Sequence, residues 1–396
     1  MYKSISPFIV KEVYKYMKLE LETEKLKEVL KKINKIDCTR CLLQIKQTGL
    51  LFSANTILKT TNTNVKVLCD IPLDLNLDDA ALTLYRFNPK VLLQKISKIH
   101  DSYLVLDLTT NESKKTKGSL SVKTTQKTVT VPVDVLGTVN ETDITYNTVL
   151  EVASAKFITL LEGLLPFTIY SNNYTKQHCF LLDFTSGLLV SSDAVKLAAY
   201  NMAQDIDFEY TKGNVDHLYL ESDLVTVLKK LGSSWGTFKI NISVDENSLE
   251  IDTLSNCKVY VDYSDGTFLK YSYILDKHVA MYRDNINISS LVDYCIENKG
   301  YKLIDKKSKE PLVLYSDGNN LKANFKTIDM EDTTIVSSLL SVPFPKIYLS
   351  IVDFLDCLLL FNRAMPVTIE IDKYQGYICI TQENFEALLM PIRQNN

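Results

Sequence analysis

The stretch Ile351–Phe361, IVDFLDCLLLF, decides how the rest of the chain is read. Phe354, Leu358 and Phe361 stand at i, i+4 and i+7, which puts all three on one side of a helix. Two further stretches, Val367–Asp372 (VTIEID) and Gly376–Ile380 (GYICI), and a closing apolar run, Ala387–Arg393 (ALLMPIR), read as strands. The same helical spacing occurs at Leu26/Leu30/Ile33, Leu92/Ile96/Ile99, Phe157/Leu161/Leu164 and Leu224/Leu228/Leu231. It returns incompletely at Leu291/Cys295, where the polar Asn298 spoils the third position. The leading residues 26, 92, 157, 224, 291 and 354 are separated by 66, 65, 67, 67 and 63 positions. Self-similarity at a near-constant period marks a repeated supersecondary unit. The spacing predicts an α+β protein in which one helix-plus-antiparallel-strand unit is used six times.

A single such unit leaves one apolar helix face and one apolar sheet face uncovered, and pairing two units covers both. The weakest apolar patterning lies around Gly137–Tyr146 and Ala280–Ile286. Boundaries there give three tandem domains of two repeats each, 17–138, 139–281 and 282–396. Residues 1–16 precede the first repeat as an N-terminal extension, with a short helix expected around Val10–Tyr16.

The bulk numbers fit this picture. The 396 residues are 46% hydrophobic and 23% charged, ordinary for a soluble globular chain. No apolar run approaches the roughly 18 residues of a membrane-spanning helix, and Cys357–Phe361 reads as a buried helix face. The N-terminal stretch lacks a secretory pattern. Eight cysteines without framework spacing read as reduced, buried thiols in a cytoplasmic protein. A net charge of −4 argues against a uniformly basic protein but leaves room for a local basic surface.

Lysines supply that surface. Met17 opens a strand through Leu19 and Leu21, and Thr23 is the expected N-cap of the first helix, with Glu24 in its first turn. On this helix Lys27, Lys31 and Lys35 make a four-spaced stripe away from the apolar side. One such stripe is ordinarily a solvated face. Here lysines recur on the later helices, at Lys95 and Lys98, at Lys156, and at Lys229 and Lys230. Alternation at Leu120–Val122, Val129–Val133, Ile240–Val244, Leu249–Ile251 and Val259–Tyr263 predicts further strands. Thr109–Gly118 and Ser171–Asn173 read as turns.

Catalytic constellations are missing from the sequence. It has no Gly-rich phosphate loop, no HExxH and no Gly-x-Ser-x-Gly elbow. The four histidines, 100, 178, 217 and 278, are scattered, and Cys38-Thr-Arg-Cys41 runs into apolar Leu42–Leu43, as two core thiols would. Asp78–Asp79 and Asp205/Asp207 read as solvated loop acids rather than a cation site. The expectation is no enzyme, no cofactor and no metal.

Specific segments now point to a family. Lys346–Leu358 with the strands after it and the terminal Leu388–Arg393 resembles the end of the bacterial DNA polymerase III beta subunit, the sliding clamp. Met17–Leu26 resembles that family's start, Cys41–Ile45 through Gly49–Ile57 its first hairpin, and Phe157–Leu165 through Leu188–Asp193 the opening of its second domain. Asp265–Phe268 resembles its Asp-Gly-x-Phe turn. The resemblance runs colinearly from Met17 to the end.

The resemblance implies a homodimeric ring of crescent protomers, with helices lining the hole and sheets outside. The lysines named above would then meet phosphates of double-stranded DNA without reading bases. Val129, Cys295 and Ile296, the last two at the end of the fifth helix, match positions at the subunit boundary. It also implies a pocket that takes short linear peptides from DNA polymerase and clamp-loader subunits. That pocket would be formed by Ser192, Asp193, Ala194, Val195, Lys196 and Leu197, by Leu269, Tyr273 and Ile274, and by Leu388, Met390, Pro391 and Ile392. The family's Thr-Asp-Gly-His-Arg-Leu is here Ser-Asp-Ala-Val-Lys-Leu; Leu269 replaces a proline and Tyr273 an arginine. The implied pocket keeps apolar anchors and has an altered polar rim. The alternative reading is a clamp-like decoy that does not encircle DNA and sequesters clamp partners.

Overall fold

The computed structural model describes residues 16–392, apart from 37, 47, 59–61, 74–82, 112–113, 139–143, 169–177, 212–214, 232–235, 246, 254–255, 264–265, 277, 305–310, 327–330, 338–339 and 375. The expected helix at Val10–Tyr16 (save Tyr16, which opens a strand), the acids Asp78–Asp79, the turn Ser171–Asn173 and the start of the 139 boundary lie outside the described residues.

Six helices carry the leading residues of the six apolar spacings: α1 (Thr23–Lys35), α2 (Pro89–Ile96), α3 (Ser154–Leu164), α4 (Leu224–Leu231), α6 (Ser289–Ile304) and α7 (Ile351–Leu358), with the short α5 (Tyr271–Asp276) between them. Ile99 and Phe361, expected on the second and last helices, lie just beyond the ends of α2 and α7 and are still buried. All six leading residues, Leu26, Leu92, Phe157, Leu224, Leu291 and Phe354, are buried. Burying such a stripe against a sheet removes apolar area from water at about 25 cal/mol per Å², the main term holding helix to strand.

Two compact units make up the chain. The first joins residues up to Ala155 with Thr226–Ser264. Its strands run antiparallel in the order Tyr16–Glu22, Tyr103–Asn111, Lys114–Lys123, Thr128–Thr138, Thr83–Phe87, Cys41–Lys46, Gly49–Ile57, Asn64–Pro72, Cys257–Asp262, Ser248–Asp252, Thr237–Ser243 and Tyr146–Ala153. The second unit joins Lys156–Val225 with Asp265–Asn396. One of its sheets has the order His217–Glu221, Cys179–Asp183, Leu188–Ser192, Lys196–Asn201, Phe385–Leu389, Ile378–Gln382, Val367–Asp372 and Ala280–Ile286. The other has the order Glu331–Ser337, Asn320–Lys326, Leu312–Asp317 and Ile347–Leu349. The fold is the expected mixture of helices and antiparallel sheets. The boundary expected at 282 falls inside the strand Ala280–Ile286.

Several local expectations change. Thr23 is not the N-cap: Glu22 occupies that place without a side-chain cap bond, and Thr23 is the first helical residue, fully buried. Asn298, expected to spoil the third apolar position, nonetheless occupies that position. It is buried on the apolar side of α6, where its Nδ2 donates to Tyr294 O at 3.0 Å and so satisfies a polar group inside the core. Thr109–Gly118 is mostly strand, because Tyr103–Asn111 pairs with Lys114–Lys123 in a long hairpin. Leu359 ends the buried run early and is exposed. All eight cysteines are buried free thiols. No helix among the described residues is long and apolar enough to cross a membrane.

Phe354 and Leu359 separate core from surface within one short stretch. Phe354→Ala is expected to lower unfolding stability by about 3–5 kcal/mol, and Leu359→Ala by about 0.5 kcal/mol or less. Equal midpoint shifts in urea for the two variants would contradict this assignment of the helix face.

Candidate functional site

The three segments expected to form the peptide pocket attach to one sheet of the second unit. Strand Leu188–Ser192 turns into Lys196–Asn201 through a short loop built by its own side chains. Asp193 Oδ1 accepts from Val195 N at 2.9 Å and Lys196 N at 2.7 Å, and Ser192 Oγ accepts from Ala194 N at 3.1 Å. Ala194 sits at φ +69°, in the left-handed region that a side chain disfavours. The resemblance puts glycine at this position, and the conformation accounts for it. Beside the loop, Leu197 pairs with Leu388 and Lys196 with Leu389. Met390 N then donates to Val195 O at 2.9 Å, and Ile392 N to Tyr348 O at 2.8 Å.

The third segment is pinned by tyrosines. Tyr219 donates to Gly266 O at 3.1 Å, Tyr271 to the Asp183 carboxylate, and Tyr377 to Ile274 O at 3.1 Å. These bonds fix Leu269 and the short α5 that carries Tyr273 and Ile274. Val195, Tyr273, Met390 and Ile392 are exposed large apolar side chains, Ala194 is exposed, and Leu269, Ile274 and Pro391 are half-buried. Ser192, Leu197 and Leu388 are buried, so they support this surface from within the sheet and are not themselves lining groups. The strand ends at Leu389, just ahead of Met390–Pro391. A cavity of about 570 Å³ at the ends of α1 and α2, touching Asn34, Cys38, Thr39 and Gln94, contains none of these residues.

Lys196 is the main departure from expectation. Its side chain is only 5% exposed and its ammonium turns inward, 2.9 Å from Asp353 Oδ1 and 2.7 Å from Asp356 Oδ2, both on α7. It also lies 5.7 Å from the centre of the Phe167 ring. Burial opposes its charge, but hydrogen bonds to Asp356 and Asp353 outweigh that and hold it protonated well above the ordinary lysine range. Burial lifts the neighbouring Asp193 carboxyl above its usual value. Lys196 is therefore a buried fastener of strand to helix and not part of a polar rim. Asp353 and Asp356 went unnoticed in the sequence; their i, i+3 spacing in an otherwise apolar helix is the signal that marks them.

The basic set shrinks in a similar way. Lys27 is buried, donating to Ile99 O at 2.6 Å and to Glu24 at 2.7 Å, so it drops out of the exposed stripe. Lys156 bonds Asp205 at 2.6 Å and Asp207 at 2.8 Å. The two acids read as solvated loop carboxylates thus hold a lysine, with Tyr200 as a further donor to Asp205. Burial works against the Lys156 charge, yet those carboxylates raise its pKa above the usual lysine value. Lys31, Lys35, Lys95, Lys98 and Lys229 are exposed and Lys230 is half-buried; Lys95 also donates to Thr130 O at 2.9 Å.

Of the boundary residues, Val129 and Cys295 are buried and Ile296 is exposed. Cys295 lies in the middle of α6, not at its end, because that helix runs on to Ile304. Burial pushes its thiol up to about 12. Strand Thr128–Thr138 pairs with Lys114–Lys123 along one side, but with Thr83–Phe87 only from Asp134 onward. Its first half therefore offers an open edge among the described residues. Glu331–Ser337 forms the outer edge of its sheet, with Ile335 exposed on it. His278, Glu370 and Cys379 bring three different donor atoms within 4.8 Å of one another.

Comparison with known proteins places the fold. No family model matches the chain. No curated protein matches its sequence. Solved structures do match. The DNA polymerase III subunit beta of Pseudomonas aeruginosa superposes with a TM-score of 0.72 at 15% identity, over 95% of this chain and 100% of that one. The sliding clamp of Caulobacter crescentus gives 0.70 at 12% identity, covering 96% and 100%. The Helicobacter pylori beta clamp bound to a DNA ligase peptide gives 0.65 at 16% identity, covering 95% and 100%. The chain has the bacterial sliding-clamp fold.

Ala194→Gly relieves the left-handed strain at the loop and is expected to stabilise the protein by about 0.5–1 kcal/mol in urea unfolding. Lys196→Met leaves Asp353 and Asp356 facing each other without their cation and should cost about 2–3 kcal/mol, discounted for their partial exposure. A neutral Lys196→Met variant would refute the fastener role.

Proposed function

We propose that the chain is a DNA sliding clamp, a homodimeric ring that encircles double-stranded DNA and tethers DNA polymerase and clamp-loader subunits through short linear peptides. The observation that carries this reading is the clamp fold itself, matched over 95–96% of the chain, with all six repeat helices present. On this reading the repeats pair into three domains, 17–138, 139–281 and 282–396, and the protein works without catalysis. The open edge at Thr128–Val133 meets the edge Glu331–Ser337 of the second copy, with Ile296 beside the contact, and so relieves two exposed sheet edges. Lys31, Lys35, Lys98 and Lys229 supply sequence-blind phosphate contacts, while topological closure supplies retention. Val195, Tyr273, Met390 and Ile392 offer the apolar anchors for a peptide. The withdrawal of Lys27 and Lys156 thins the basic lining and favours, as a second reading, a decoy that binds clamp partners without holding DNA.

Retention on nicked circular DNA separates the two. The dimer is expected to stay on circles after gel filtration and to leave when they are linearised. Lys31→Glu, Lys35→Glu and Lys98→Glu together should flatten the log–log salt dependence by about three. Light scattering should show a dimer that Ile296→Asp converts to monomer. A dimer that binds clamp peptides but never remains on circles supports the decoy instead. Deleting Met390–Asn396 should abolish peptide binding in calorimetry while the dimer persists. Unchanged peptide affinity would place the pocket elsewhere.

A further inference from the structure

Outside the surfaces already described, one cluster combines imidazole, thiol and carboxylate. Glu370 and Cys379 stand directly opposite each other on the paired strands Val367–Asp372 and Ile378–Gln382. Cys379 also opposes Leu388, and Glu386, two residues earlier on that strand, shares its face. The loop after α5 brings in His278, whose Nε2 lies 2.6 Å from Glu370 Oε2. Glu370 Oε1 is taken by Arg283 Nε at 3.1 Å, which leaves Oε2 for the cluster. On the other flank, Cys379 Sγ is 3.2 Å from Glu386 Oε1.

We propose that His278, Glu370, Cys379 and Glu386 bind a zinc ion. Zinc takes nitrogen, oxygen and sulfur ligands at about 2.0–2.3 Å in a tetrahedron, which sets ligand atoms roughly 3.3–3.8 Å apart. The His278, Glu370 and Cys379 donor atoms already lie within 4.8 Å of one another. Entry of the ion requires the His278–Glu370 hydrogen bond to open by about 1 Å or less. A thiolate and an imidazole with carboxylates favour zinc over magnesium or calcium, which prefer oxygen alone.

The layer behind the ligands is also built. His278 Nδ1 faces Tyr377 Oη at 3.2 Å and Asp372 Oδ2 at 3.8 Å. Asp372 is held in turn by Val279 N at 3.0 Å and Tyr374 N at 2.9 Å. A ligating imidazole that turns its second nitrogen to a hydroxyl or carboxylate is oriented in the way zinc sites use. Binding displaces the Cys379 proton to solvent, and the neutral imidazole contributes its lone pair. Two carboxylates and a thiolate around a dication leave one negative charge, which Arg283 balances. The ion ties the loop that follows Tyr273 and Ile274 to three strands. The site stands on its own geometry whatever the chain's role on DNA.

The test uses the full chain, stripped of metal by a chelator, kept reduced and titrated with Co²⁺. One equivalent is expected to give a thiolate-to-cobalt charge-transfer band with tetrahedral visible bands, and Zn²⁺ should displace it. Cys379→Ser, with circular dichroism showing it folded, should lose the charge-transfer band. His278→Asn should weaken Co²⁺ binding by more than about tenfold. Cys38→Ser should leave the spectrum unchanged. Absence of the band in the folded wild type means that the cluster is only an ion pair beside a thiol hydrogen bond, and overturns the proposal. So does a band that survives Cys379→Ser, which means that another thiol binds the metal, or one that vanishes in Cys38→Ser, which means that the metal sits at Cys38 and Cys41.

Discussion

A short amphipathic helix cannot hide its own apolar stripe, and this constraint underlies everything else in the chain. Phe354 and Leu358 on α7, or Leu26, Leu30 and Ile33 on α1, are essentially inaccessible to water only because strands and a neighbouring helix lie against them. The chain meets the constraint six times with one device, at intervals of 63 to 67 residues. Each repeat therefore has a buried side set by packing and a free side on which charges can vary.

What happens on the free side depends on local partners. Lys27 and Lys31 are one helical turn apart, yet Lys27 is buried beneath Ile99 O while Lys31 reaches solvent. A long aliphatic stem lets lysine serve either end, and a nearby carbonyl or carboxylate decides which. Lys196 and Lys156 follow the same logic, captured by Asp353 and Asp356 and by Asp205 and Asp207. Counting lysines on helices overstates the charge available to an anion; subtracting those with buried acceptors corrects the estimate.

The periodic part of the fold was legible because helix burial leaves a 3.6-residue trace. All six leading residues are in the core, and Val367–Asp372 is a strand over the same bounds that alternation gives. The resemblance drew together Ser192–Leu197 and Leu388–Ile392, whose strand residues Lys196–Leu197 and Leu388–Leu389 prove to be paired in one sheet, with Met390 bonded to Val195 just beyond it. What stayed hidden depends on pairs distant in sequence. Nothing near Lys196 announces acids 157 and 160 positions later. His278 is separated from Glu370 by 92 positions, so a scan of local spacing sees a lone histidine. Asn298 misled for another reason: its amide is satisfied by the carbonyl of the preceding turn, so a polar residue sits in the core without interrupting the helix.

The open edges at Thr128–Val133 and Glu331–Ser337 bear on assembly errors as well as on assembly. Backbone donors and acceptors along an edge are indifferent to which copy of the chain they meet, so joining is cheap and only the angle of the joint decides the product. On the proposed ring reading, two copies that return to their starting point leave neither of these two edges open and stop. A joint tilted by a few degrees never returns, and the same contacts then add copies in a helical filament without limit. Glu331 and Asp332 at one edge, and the Lys95 ammonium on Thr130 O at the other, place charge where such growth would start. On that reading, solubility would depend on angular precision more than on surface polarity alone.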